Sequence, residues 1–126
     1  MVFLLLPQEI SPTAQPNNPM RNVTVMQLKQ RLDAGEAPLI LDVREPDEYQ
    51  AGSLPESVHI PLGQLPVEIH QLEEKRDDEI VVHCRSGVRS LQAAALMEQM
   101  GFTNVANLEG GVKAWKAEVD PSFVVG

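Results

Sequence analysis

Three features of the chain predict an α/β fold around a central, mainly parallel sheet. Short apolar runs alternate with segments of helical period, the links between them are brief, and the best-defined run is continuously apolar, as in strands covered on both faces. Strand–helix–strand links of this length imply right-handed crossovers. A length of 126 residues suits one domain, and 43% apolar with 22% charged residues is ordinary for a globular protein.

Residues 1–20 are expected to form a flexible, Pro-rich N-terminal tail. Pro7, Pro12, Pro16 and Pro19, with Ser11, Thr13, Asn17 and Asn18, leave no periodic apolar face. Val2-Phe3-Leu4-Leu5-Leu6 is too short for a signal-peptide core and has no basic segment before it. Order is expected from about Val23, with a domain over 21–120 and a C-terminal tail over 121–126.

Thr24 suits a helix N-cap, and Gln27 three residues later completes a capping-box pattern. Val25, Leu28 and Leu32 share one face of that helix, and Gly35 stops it. Leu39-Ile40-Leu41-Asp42-Val43 is the first strand. Glu45-Pro46-Asp47-Glu48-Tyr49 opens a short helix, with proline in its first turn and acids at its positive end, and Gly52 closes it. Val58-His59-Ile60 is a short strand between Pro55 and Pro61. Leu65, Ile69 and Leu72 mark one helix, Ile80-Val81-Val82-His83 the next strand. Leu91, Ala94, Ala95, Leu96 and Met100 are the expected inner face of a helix beginning near Val88 and ending at Gly101. Val105-Ala106-Asn107-Leu108 is the last strand, followed by Gly110-Gly111 and a short helix with Val112 and Trp115.

The seven residues Cys84-Arg85-Ser86-Gly87-Val88-Arg89-Ser90 carry the chemistry. The only cysteine of the protein stands where a buried strand hands over to a helix, beyond the carboxyl end of its strand. Consecutive N–H groups and the positive end of a helix dipole converge there, and Gly87 supplies the tight curvature. Arg85 and Arg89 add two positive charges. A free thiol is only about 3% ionised at neutral pH, and lowering its pKa by two units takes roughly 2.7 kcal/mol. A helix dipole supplies about 0.3–1 kcal/mol, so N–H bonds and a guanidinium must add the rest. The expected product is an ionised nucleophile facing an anionic substrate.

A net charge of −8 without any Lys/Arg run argues against nucleic acid and anionic membranes as partners. The mixed cluster from Glu73 to Glu79 reads as a solvated turn. A lone cysteine forms no internal disulfide, and the cytoplasm is the expected compartment. His59, His70 and His83 show no ligand spacing, so neither a metal nor a cofactor is expected. His83 precedes the cysteine, yet neighbouring side chains in a strand point to opposite faces; it is expected to turn away from the thiol.

The cysteine loop resembles the active-site loop of the rhodanese family, sulfurtransferases that carry sulfur as a cysteine persulfide. Leu41-Asp42-Val43-Arg44-Glu45-Pro46, with Glu48-Tyr49 and Gly52, is similar to the family's upstream signature. Asn107-Leu108-Glu109-Gly110-Gly111 with Ala114-Trp115 is similar to its downstream one. The likeness covers Val23 to Lys116. It implies a single rhodanese-like domain with a twisted sheet of about five strands and helices on both faces. Gly52-Ser53-Leu54 departs from the family's usual Gly-His-Ile, and Glu56-Ser57 stands where Gly-Ala is common. The ending from Ala117 to Ser122 also resembles rhodanese domains fused behind ubiquitin-activating-type adenylating enzymes, which pass sulfur to a carrier protein.

What the resemblance implies is a thiosulfate sulfurtransferase. Cys84 takes a sulfane sulfur from thiosulfate or a persulfide donor and yields it to cyanide, a thiol or a sulfur-acceptor protein outside the chain. Arg85, Ser86, Gly87, Val88, Arg89 and Ser90 form the persulfide-binding loop. Arg89 either serves the anion or braces the loop against an acid, and Ser90 either donates to the persulfide or caps the helix. Asp42 and Arg44 are candidate supporting residues, as a structural pair beside the pocket. Trp115 is expected to be a packing residue. Two other classes compete: a regulatory or sulfur-carrier binding module without turnover, and a cysteine phosphatase or arsenate reductase. The latter has five residues between cysteine and arginine, against four between Cys84 and Arg89.

Overall fold

The computed structural model describes residues 20–126, so the N-terminal tail expected over 1–20 lies almost wholly outside the described residues. Five parallel strands form one sheet: β1 (Asn22–Val23), β2 (Leu39–Asp42), β3 (Val58–His59), β4 (Ile80–His83) and β5 (Val105–Leu108), in the spatial order β1-β5-β4-β2-β3. Helices α1 (Val25–Asp33), α2 (Pro46–Ala51), α3 (Leu65–Glu68), α4 (Val88–Gln99) and α5 (Gly111–Glu118) link or follow them. From β2 the chain moves first to β3 on one side, then to β4 and β5 on the other. The order reverses between β2 and β4, and open sheets of this type bind ligands beyond the carboxyl ends of the strands at such a point.

The strand residues alternate between two apolar layers. Leu41, Val43, Ile80, Val82, Cys84 and Val105 face Leu65, Ile69 and Leu72 together with Ala93, Ala94 and Met97 of α4. Ile40, Val81, Ala106 and Leu108 face Val25 and Leu28 of α1, Val112 and Trp115 of α5, and Phe123. Helices therefore cover both faces, and Trp115 is a packing residue. Thr24 caps α1 as its sequence predicts: its hydroxyl accepts from the Gln27 N–H at 3.1 Å and Gln27 Oε1 accepts from the Thr24 N–H at 2.9 Å.

Four details differ from the sequence reading. β1 carries no sequence signal, because two residues cannot show a period; pairing with β5 creates it. The segment from Leu62 to Lys75 is not one helix. Only Leu65–Glu68 is α-helical, flanked by 3₁₀ turns and broken at Leu72 (φ −107°, ψ 16°), although Leu65, Ile69 and Leu72 are buried as expected. The inner face of α4 is Ser90, Ala93, Ala94 and Met97, while Leu91 is 46% exposed and Ala95 is exposed. Residues 121–126 also lie against the domain: Phe123 is buried, Lys116 Nζ donates to the carbonyls of Pro121 and Phe123, and Arg44 Nη1 donates to that of Val125.

Candidate active site

Cys84 follows β4 directly, and Gly87, at φ 112°, turns the chain into α4. That left-handed conformation, costly for any side chain, folds the loop back over its own sulfur. The N–H of Gly87 donates to Cys84 Sγ at 3.1 Å and the N–H of Ser90 at 3.4 Å. The Ser90 hydroxyl lies 3.4 Å from the same sulfur. Burial pushes the thiol up; the Ser90 hydroxyl and the N–H groups of Ser90, Gly87 and Ser86 together outweigh it, so its pKa falls below the ordinary cysteine value. Cys84 is only 1% exposed. The sulfur is nevertheless set among polar hydrogens on its loop side, unlike a cysteine that merely fills a core.

The position of Ser90 also fixes the rotation of α4. With Ser90 turned to the sulfur, the residues three, four and seven further on turn inward too; these are Ala93, Ala94 and Met97. Ser90 is the third residue of the helix and is not its cap, which is Gly87. Its hydroxyl donates to Asn107 Oδ1 on β5 at 2.5 Å, and Asn107 Nδ2 donates in turn to Asn22 Oδ1 on β1 at 3.3 Å.

Arg89 braces the loop. Its Nη1 and Nη2 donate to Glu48 Oε1 and Oε2 of α2 at 2.7 and 3.0 Å, a fork-on-fork pair. Glu48 Oε1 also accepts from the Glu45 N–H at 2.9 Å. The Arg89 hydrogen bonds outweigh partial burial and hold the Glu48 pKa down at about 2. Arg89 is therefore committed to an acid 41 residues upstream. Arg85, Ser86 and Val88 point outward, Val88 being 66% exposed, and Arg85 has no ion-pair partner among the described residues.

The loop is held from behind by α5. Val112 N–H donates to the Cys84 carbonyl and Lys113 N–H to that of Arg85, both at 3.0 Å. Gly111, at φ 59°, makes this approach possible, because a Cβ there would run into those same two carbonyl groups.

Asp42 and Arg44 lie on the other face of the sheet, in line with Ile40. Both are fully buried and form a bidentate pair, Nε and Nη2 of Arg44 donating to Asp42 at 2.8–3.1 Å. Arg44 also donates to the carbonyls of Gly52 and Val125. The pair ties β2 to the segment after α2 and to the C-terminal residues, and its hydrogen bonds reach no atom of the cysteine loop. His83 is turned to this face as well, with Nε2 3.7 Å from Asp42 Oδ2 and both ring nitrogens unbonded among the described residues. Burial drives its pKa down to about 4, with attraction by Asp42 opposing and Arg44 reinforcing the shift. His83 is thus a neutral ring, placed away from the sulfur. Among the described residues no three of His, Cys, Asp and Glu gather as a metal site, and no helix is long and apolar enough to cross a membrane.

A family model of the rhodanese-like domain matches residues 24–118. The chain belongs to that family. This rhodanese-like domain is 40% identical over 88 residues to a sulfurtransferase of Allochromatium vinosum, covering 70% of this chain and 80% of that one. It is 36% identical over 108 residues to the adenylyltransferase and sulfurtransferase MOCS3-1 of Zea mays, covering 82% of this chain and 23% of that protein. The human single-domain sulfurtransferase TSTD1 superposes with a TM-score of 0.67 at 28% identity, over 79% of this chain and 98% of that one. The likeness both to a single-domain sulfurtransferase and to domains joined to adenylyltransferases agrees with the sequence reading. Sulfurtransferase function is thereby supported at the level of the family.

Proposed function

We propose that this protein is a thiosulfate-type sulfurtransferase working through a persulfide on Cys84. The observation that carries the reading is the pair of backbone donors on one sulfur, the N–H groups of Gly87 and Ser90 at 3.1 and 3.4 Å, with the Ser90 hydroxyl oxygen, which accepts from the thiol, 3.4 Å away. They favour the thiolate, and they remain to hold the charge when the sulfur bears a second sulfur atom. The thiolate attacks the outer sulfur of thiosulfate. A new S–S bond forms, the old one breaks with its electron pair on sulfite, and Cys84–S–S⁻ remains. Cyanide or an external thiolate then attacks the terminal sulfur and restores the Cys84 thiolate. Charge and sulfur balance in both steps without an oxidant.

Arg85, outward and without an ion-pair partner among the described residues, is the cation at the mouth that meets an anionic donor. Arg89 acts through loop rigidity. The tight ring over a nearly covered sulfur suits a single incoming atom better than a tetrahedral phosphate, which favours sulfur transfer over phosphatase chemistry. Since the chain has one cysteine, the acceptor comes from outside it. A sulfur-accepting carrier protein is one such acceptor, a reading that the likeness to proteins joining an adenylyltransferase and a sulfurtransferase supports.

The test is intact-mass analysis after thiosulfate treatment of wild type and Cys84→Ser. Gain of one sulfur by wild type alone, removed by cyanide as thiocyanate, is the expected result. Absence of an adduct with thiosulfate and with persulfide donors overturns the proposal; hydrolysis of an aryl phosphate by the same protein would return it to the phosphatase class.

A further inference from the structure

The polar chain from Asn22 to Cys84 crosses three strands and ends on the reacting atom. Asn107 interrupts an otherwise apolar strand, Val105-Ala106-Asn107-Leu108, and is 7% exposed. A buried amide inside a strand needs partners, and its two are Ser90 and Asn22. Each link has a direction. A serine hydroxyl owns one proton, and Ser90 gives it to Asn107 Oδ1 at 2.5 Å, so toward the sulfur it acts as an acceptor from the Cys84 S–H.

Ionisation reverses this. A thiolate only accepts, so the Ser90 proton must turn toward Sγ to serve it. The Ser90 lone pairs then meet Asn107 Oδ1 at 2.5 Å, two acceptors in repulsive contact. A half-turn of the Asn107 amide removes the conflict by presenting Nδ2–H to Ser90. The oxygen then faces Asn22, an exposed residue whose own amide can turn to donate. We propose that Asn107 is a positioning residue for the sulfur: its amide turns with the charge on Cys84 and so decides whether the Ser90 hydroxyl points at the reacting atom. Resting on the Cys84 reading, it explains why an amide, which can present either a donor or an acceptor, stands where a carboxylate or an apolar side chain would serve packing as well.

The test measures the pH dependence of Cys84 alkylation by iodoacetamide, a readout that packing alone does not move. Asn107→Asp can only accept, so it keeps the Ser90 proton and raises the midpoint by about one pH unit, roughly tenfold less thiolate at neutrality. Asn107→Leu offers no donor behind the hydroxyl and raises it by about half a unit, a roughly threefold loss. In a Ser90→Ala background both shifts shrink by more than half. Should the Asn107→Asp change disrupt folding, Asn107→Leu decides alone. A midpoint that is unchanged or lower in the variants, or shifts equally large without Ser90, overturns the proposal. Wild-type protein that fails to form a persulfide from thiosulfate would sink the sulfurtransferase reading and leave these midpoints standing.

Discussion

His83 is expected to make the stability of this domain fall in mild acid. Its ring is fully buried, both nitrogens lack partners among the described residues, and its pKa drops from 6.5 to about 4 because burial disfavours the imidazolium. Below pH 6.5 the unfolded chain takes up a proton that the folded chain refuses. The contribution of His83 is thus fully present above pH 6.5 and is lost as pH falls through about 4. A gap of some 2.5 units at about 1.36 kcal/mol each gives about 3 kcal/mol between pH 7 and pH 4. That is a large share of the roughly 5–15 kcal/mol that holds a domain together. Guanidinium unfolding at a series of pH values measures it, with His83→Leu as the comparison. The leucine variant removes two unpaired nitrogens and is expected to match or exceed wild type at pH 4. Its stability should change by about 3 kcal/mol less than wild type across the interval. Equal pH dependence in the two proteins would mean that the buried ring is not the source of the acid sensitivity.

Three further outcomes are expected. Glu48→Gln loosens the brace on Arg89 and costs about 1 kcal/mol at pH 7, measured by denaturation; because the Glu48 pKa is held at about 2, the stability it confers is complete above pH 4.5 and disappears toward pH 2, and the Gln variant lacks that part of the acid profile. Gly111→Ala drives a Cβ into the carbonyls of Cys84 and Arg85 at a backbone angle that already disfavours alanine, so a loss of about 3 kcal/mol and a drop in persulfide yield are expected by thermal melting and mass analysis. Glu56→Gly relieves a non-glycine residue at φ 57° and should raise stability by about 0.5–1 kcal/mol in the same melting assay.

That last position connects sequence with structure. Glu56, set by the resemblance at a position where glycine is common, has a left-handed backbone. The cysteine loop is legible in the sequence because all its parts are local: a strand, a turn glycine and a helix start within a few residues. The same locality exposes the capping of α1 and the three longest strands. Glu48 and Asn107 are not legible as parts of the site, since they reach it from 41 residues before Arg89 and 17 after Ser90. Glu48 reads in sequence as an acid suited to a helix dipole. Asn107 carries a faint signal, being polar within a buried strand. Apolarity alone points to Leu91 for the inner face of α4, whereas the demand of the sulfur for Ser90 sets the rotation. The C-terminal residues look like a tail because their anchor, Arg44, is 81 residues away from Val125.

With α5 gripping the carbonyls behind the cysteine, the amide ring is tied down from the rear by two hydrogen bonds, with no room there for a side chain on Gly111. Changes in clientele are then confined to the doorway, where the side chains of Arg85, Ser86 and Val88 look outward and only their backbone serves the loop. Swapping those three should redirect which donors and acceptors are served while leaving the intrinsic reactivity of the sulfur untouched.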